Sequence, residues 1–455
     1  MLGAQLYWVY APVIDIGGDD ILLMQGSRKI DAGLWRQLFA PQHIHFLPLF
    51  RLARLPFDLH FPAWSEYFHA LVVAAHLAGA VFLYLLARRY LHSHWAALGT
   101  AFLFACSTVG EEALVWKAAS PFVFSWAFLL LSLWCFAHAG NAWGAAGAGA
   151  LLTAFGFFSG ALFVLPGLFL GIWLLEPASQ RRVLGSCLGV GLVGAVTWLV
   201  LVRPQAEMDH YWKFGSATAG PLTRLGWAVA DTWQAYVWQF GLGLHAPDAR
   251  YVLLLLLATS LLVLRRAIHW RWVLAVLGLT LLPLFVIMLI RKEAEVWKIG
   301  RYGYQSYTFW AVALGCLGDA VLWKLERWPH WRVGLLVLLL LPAGLYWNEH
   351  SAAAAQASAR LRPEAQRTFW FGWDSFFRFA STRRTASAKP LGLPPVEVFP
   401  GLNLRVVFSL CHPGGLPGVV ALEEGGLEEQ REFWAEVAAA QAELPLFRQL
   451  GLRPR

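Results

Sequence analysis

Long apolar runs separated by short polar loops dominate the chain, and runs of that length predict membrane-spanning helices. The clearest cover 67–87, 95–109, 120–138, 143–158, 161–175, 183–202, 250–264, 271–290, 305–323 and 333–347, ten in all. The short run Leu2 to Ile14 makes eleven if it spans; otherwise it lies at the interface or belongs to a longer start. Several runs fall below the roughly 20 residues of a perpendicular crossing, so their ends extend into the loops or the helices are buried inside the bundle. The segment 225–246 carries Trp227, Trp233, Trp238 and Asp231 and is too polar for a span; it reads as an interfacial or re-entrant helix. Beyond 347 the pattern changes. An Ala-rich stretch, an aromatic stretch from Phe369 to Phe379, a strand-like Leu404 to Leu410 and a helix-like Glu428 to Leu444 predict a small mixed α/β unit. The division is therefore 1–347, an all-α polytopic membrane domain, and 348–455, a carboxy-terminal tail or small domain.

Composition strengthens this reading. With 58% hydrophobic and 14% charged residues among 455, the chain lies far from a soluble globular average. The net charge of +8 does not point to nucleic acid, because the basic residues punctuate apolar segments and form no patch with interleaved aromatics. The 25 Trp and 31 Phe suit membrane interfaces and lipid-chain grooves, or ordinary bilayer packing. Cys106, Cys135, Cys187 and Cys316 fall in apolar segments and Cys411 in a polar one, which offers no disulfide framework. The first residues lack the basic region and cleavage site of a signal peptide.

Basic residues orient the spans. Arg88-Arg89, Arg181-Arg182, Arg265-Arg266 with Arg271, and Lys324, Arg327 and Arg332 cluster in loops on one face, the cytoplasmic one by the positive-inside rule. Loops 15–66, 110–119, 203–249 and 291–304 and the tail then lie outside, although Arg291, Lys292, Lys298 and Arg301 make the bias one of density. That face gathers Asp15, Asp19, Asp20, His43, His45, Glu111, Glu112, Arg301 and Tyr302 from loops distant in sequence. A carboxylate there suits a general base or a hard divalent cation, and an arginine suits a phosphate. Taken alone, adjacent acids are more often a turn or helix cap, and a histidine in a span more often a hydrogen-bonded structural residue.

The order of these residues resembles the GT-C superfamily of polytopic glycosyltransferases, in particular the protein O-mannosyltransferase-like members. An acidic pair opens the first outer loop of those proteins, similar to Asp19-Asp20; Phe46-Leu47-Pro48-Leu49 resembles the aromatic and Pro-Leu further along, with Leu47 in place of an arginine that Arg51 is the candidate to replace. His69 and His76 match a pair seven apart, which lies on one helix face. Glu112-Ala113-Leu114-Val115-Trp116 is similar to Glu-Ala-Val-x-Trp, with Ser107-Thr108 where His-Pro usually precedes, and Gly300-Arg301-Tyr302-Gly303-Tyr304 resembles Arg-Tyr-x-Tyr. The likeness covers 15–140 well and 295–320 weakly.

The resemblance implies transfer of a sugar from a polyprenyl-phosphate carrier to a lipid, glycan or protein acceptor outside the cell membrane, within a bundle of ten or eleven helices. Asp19 or Asp20 would be the base, Arg301 with Lys298 the phosphate clamp, Glu112 an orienting acid and Trp116 a stacking platform for a sugar ring. His45, His69, His76 and Tyr302 join the substrate-binding candidates, and a divalent cation is left open. Two other functions fit the pattern: a transporter or flippase for a lipid-linked substrate, and a degenerate relative that binds lipid without catalysis. Few intramembrane charges and no Gly/Pro-broken halves weigh against transport.

Overall fold

The computed structural model describes residues 38–40, 45–60, 65–106, 113–114, 117–138, 140–176, 180–202, 221–240, 260, 268–290, 300–324, 363–384, 389–395, 397–399, 402–412, 415–422, 426–450 and 452. The described chain is mostly helical. Helix α1 (Pro48–Leu59) precedes α2 (Ser65–Tyr90), α3 (His94–Ala105), α4 (Pro121–Phe136), α5 (Asn141–Phe157), α6 (Leu165–Leu175) and α7 (Gln180–Thr197). Helices α8 (Pro221–Phe240), α9 (Trp270–Ile290) and α10 (Gly300–Lys324) follow. These segments are helical because long apolar stretches leave backbone N–H and C=O groups that only intrahelical bonds satisfy away from water. Their starts are marked locally: Pro48 and Pro121 occupy first-turn positions that need no N–H, and the Ser93 hydroxyl accepts from the Trp95 amide at 3.3 Å to cap α3.

Among the described residues, four stretches are long and apolar enough to cross a membrane: Tyr67–Tyr90, Lys117–Phe136, Arg181–Val202 and Tyr304–Trp323. The second is 83% buried within the protein and the last-but-one only 22%, so α4 is central and α7 peripheral. Trp126 of α4 is fully buried and its indole N–H donates to the Thr308 hydroxyl of α10 at 3.0 Å. Shorter apolar helices, His94–Ala105, Ser159–Leu175 and Trp270–Phe285, pack around them. Two of the runs, 250–264 and 333–347, lie outside the described residues apart from Ser260. Of the 225–246 segment, residues 225–240 belong to α8 and 241–246 lie outside the described residues; Trp227 and Trp233 are exposed, and Tyr236 is bonded to Thr280 of α9 at 2.8 Å.

Two contacts order α2 against α10. His76 Nδ1 lies 2.9 Å from the Tyr304 hydroxyl, and the buried Asp319 carboxylate accepts the His92 and Ser93 amides at 3.1 and 2.7 Å. The helices therefore run parallel, with α3 returning between them, and Gly315 of α10 approaches Thr100 too closely for a side chain. At the far end of α2, Arg89 donates to Glu176 at 2.8 Å, and Arg182 reaches the Gly140 carbonyl. The basic residues Arg88-Arg89, Arg181-Arg182 and Arg271 thus share one end of the helix assembly. A second close approach joins α6 to α9, where a Cβ on Gly167 would collide with the backbone at Gly278 and Leu279.

The carboxy-terminal residues form α11 (Pro363–Arg384), β1 (Leu391–Leu393), β2 (Glu397–Phe399), β3 (Leu402–Asn403), α12 (Leu404–Cys411), β4 (Val419–Ala421), α13 (Leu427–Glu443) and α14 (Pro445–Arg448). Strands β1 and β4 pair in parallel and β2 and β3 antiparallel. Trp373 sits 5.2 Å from Phe447, and Phe376 stacks on Phe447 at 4.8 Å, so aromatic rings of α11 fill the core of this unit. The strand expected over Leu404 to Leu410 is instead helix α12. Among its described side chains, Leu404, Val407 and Phe408 are buried at helical spacing, and that stripe against α11 outweighs the β preference of Val406-Val407. All five cysteines are free and four are buried.

Candidate functional site

At the end where α2 and α4 begin, charged side chains are buried among aromatic rings. Helix α1 turns Arg54 and Asp58 inward, one turn apart, and they form an ion pair at 2.8 Å with almost no exposure. Phe57 lies between α1 and its neighbours: the Arg54 guanidinium is 5.4 Å and the Lys117 ammonium 5.3 Å from its ring centroid. Phe57 stacks on Phe68 of α2 at 5.6 Å, while Phe50 and Phe68 each approach Phe124 of α4 at 6.3 Å. Lys117 is buried at the entry to α4. Arg51, on the same helix, has its guanidinium pKa lowered by burial against an opposing pull from Asp58. Guanidinium and ammonium groups held in apolar surroundings act on an anion more strongly than they would in water.

Of the residues expected to work at this end, His69 is buried directly after Phe68. His76 is buried two turns further along α2. Its Nδ1 meets Tyr304 and its Nε2 lies 3.1 Å from the Ala105 carbonyl, so the ring joins α2, α3 and α10. His45 is half-buried with its ring 5.2 Å from Phe158. Beside it, the Phe46 amide donates to Ser159 Oγ at 3.0 Å and the Ser159 amide to the Phe46 carbonyl at 3.2 Å, tying the first loop to the turn after α5. Arg301 and Tyr302 lie in the first turn of α10, three and two residues before Tyr304. Asp19, Asp20, Glu112, Trp116 and Lys298 lie outside the described residues.

Sequence reasoning missed Arg54, Asp58 and Lys117. An amphipathic signal was present, since Arg54 and Asp58 are spaced by four around Phe57, directly after the Phe46–Leu49 motif. It also missed Asp319, the lone acid within an otherwise apolar span.

Among the described residues, fold and site together define a predominantly helical protein with four helices able to cross a membrane and a cluster of buried charged side chains, Arg54, Asp58 and Lys117, at one end of them. No protein-family model, no curated protein and no solved structure matches the chain.

Proposed function

We propose that the chain is a polytopic membrane glycosyltransferase of GT-C type that moves a sugar from a polyprenyl-phosphate carrier to an acceptor on the extracytoplasmic face. The observation that carries this reading is the parallel pairing of α2 with α10. It sets the turn holding Arg301 and Tyr302 at the same end of the helices as His69, Arg54 and Lys117, opposite Arg88-Arg89. The basic doublets at that opposite end support a cytoplasmic assignment for it.

Such a reaction needs a base at the acceptor hydroxyl, cations at the departing lipid phosphate and apolar surface for the carrier chain. Asp19 or Asp20 is the candidate base and Glu112 its orienting partner. Arg301 and Lys298 are the candidate clamp, and Arg51, Arg54 and Lys117 extend the same cationic chemistry. His76, with both ring nitrogens engaged, sets the register of α10 rather than meeting substrate directly.

The test is a transfer assay with purified protein in nanodiscs, extracted polyprenyl-phosphate sugars and envelope acceptors, run beside cysteine-accessibility labelling of position 20. Carrier-dependent transfer with position 20 labelled from outside is the expected result. Absence of transfer across the sugar panel, or labelling of position 20 from the cytoplasm, would overturn the reading.

A further inference from the structure

The opposite end of α2 and α10 carries a separate cluster that the transfer chemistry does not use. His92 follows α2, His269 immediately precedes α9, and Asp319 lies near the end of α10. His92 Nδ1 is 3.1 Å from Asp319 Oδ2 and 3.1 Å from His269 Nε2, and His269 Nε2 is 3.9 Å from the same carboxylate oxygen. A triangle with these sides has its centre about 2.0 Å from each corner, the bond length of zinc to imidazole nitrogen and carboxylate oxygen.

We propose that His92, His269 and Asp319 form a binding site for a first-row divalent cation, zinc above all, with a fourth position open to solvent. The donor set is two imidazoles and one carboxylate, which suits such ions and gives the three-ligand open geometry of zinc sites. Surroundings already hold the ligands. Asp319 is fully buried and fixed by the two amides of His92 and Ser93, and the His92 ring stacks on Trp323 at 6.1 Å, one turn beyond Asp319. The imidazoles are 53% and 35% exposed, which leaves a path for the ion. A cation here would bond to all three donor atoms at once. The bound ion would fasten the α2–α3 turn, the start of α9 and the end of α10 to one another. This inference stands independently of the glycosyltransferase reading.

Tag-free full-length protein, stripped with chelator and held in nanodiscs, is titrated with Zn(II) and, for its visible d–d spectrum, Co(II). One equivalent should bind, and Co(II) should give the intense absorption of a four-coordinate nitrogen and oxygen site. His92→Gln and His269→Gln, at partly exposed positions, should each weaken binding about 100-fold while melting like the wild type without metal. Asp319→Asn is a third variant whose two amide bonds make loss of fold the first thing to check. The proposal is overturned if the wild type binds no ion, or if both histidine variants bind as the wild type does.

Discussion

The two ends of the α2–α10 pair handle polar groups in different ways. Where the helices begin, Arg54, Asp58 and Lys117 are buried around the rings of Phe57 and Phe68, and charge meets charge or an aromatic face. Where they end, a buried carboxylate is held by backbone amides beneath two partly exposed imidazoles. Charge buried in this way is compensated inside the fold, by a carboxylate or by an aromatic face. Open imidazoles over a fixed carboxylate suit a small cation. The same pair of helices thus presents opposite chemistry at its two ends, and substitutions should separate them.

The largest separation is expected from the first loop. Asp19→Asn and Asp20→Asn, made separately, should reduce transfer for at least one variant by about 10²–10⁴-fold, the range of a general base. Zinc uptake at the far end should not change. Full transfer in both variants removes the base from this pair, and loss of zinc uptake would show that the two ends are not independent.

A smaller effect is expected inside the ring cluster. Asp58→Asn leaves the buried Arg54 guanidinium without its 2.8 Å carboxylate and should destabilise the protein by about 3 kcal/mol. Chaotrope titration in micelles measures it. A change below about 1 kcal/mol would mean that other groups carry the charge of Arg54.

The His76 contact sits between the ends and joins α2 to α10. Interhelical hydrogen bonds in membranes average about 0.6 kcal/mol, so a His76→Phe and Tyr304→Phe double-mutant cycle should give a coupling of about 0.5–1.5 kcal/mol. Zero coupling would leave helix packing alone, including the close approach of Gly315 to Thr100, to set the register of α10.

What could be read from sequence follows from how local the signal was. Apolar runs marked α2, α4, α5, α7, α9 and α10 to within a few residues, because an 18-residue apolar stretch has few alternatives to helix. Leu404 to Leu410 was misread because two adjacent valines look strand-like, and only packing against α11 shows that Leu404, Val407 and Phe408 make a helical stripe. Motif order singled out His69, His76 and Arg301, of which the structure buries His69 and His76 on α2 and sets Arg301 in the first turn of α10. A site was hidden where residues far apart in sequence are joined only by the fold. His92, His269 and Asp319 belong to that second kind: each is unremarkable in its own segment, and only Asp319, an acid in an apolar span, carried a local signal.

The smallest effect sharpens the comparison by using a second histidine–carboxylate pair. His412 Nε2 lies 3.2 Å from Asp374 in the carboxy-terminal unit, as His92 does from Asp319, but the third member is Arg378, whose Nε donates to Asp374 at 3.0 Å. A guanidinium cannot ligate a metal, so this pair should leave zinc unbound and show only a pH response. Burial pushes the Asp374 carboxyl upward, yet the His412 and Arg378 contacts overcome it and hold the pKa below its ordinary value. A carboxyl lowered on folding stabilises the unit above the ordinary carboxylate pKa of about 4, and that stability disappears as pH falls through the folded value. Asp374→Asn should therefore flatten the acid loss of hydrogen-exchange protection in α11 and cost about 0.5–1 kcal/mol at neutral pH. An unchanged acid profile would transfer the pH response to another carboxylate, and zinc binding at this pair would break the distinction between a guanidinium and an imidazole as third partner.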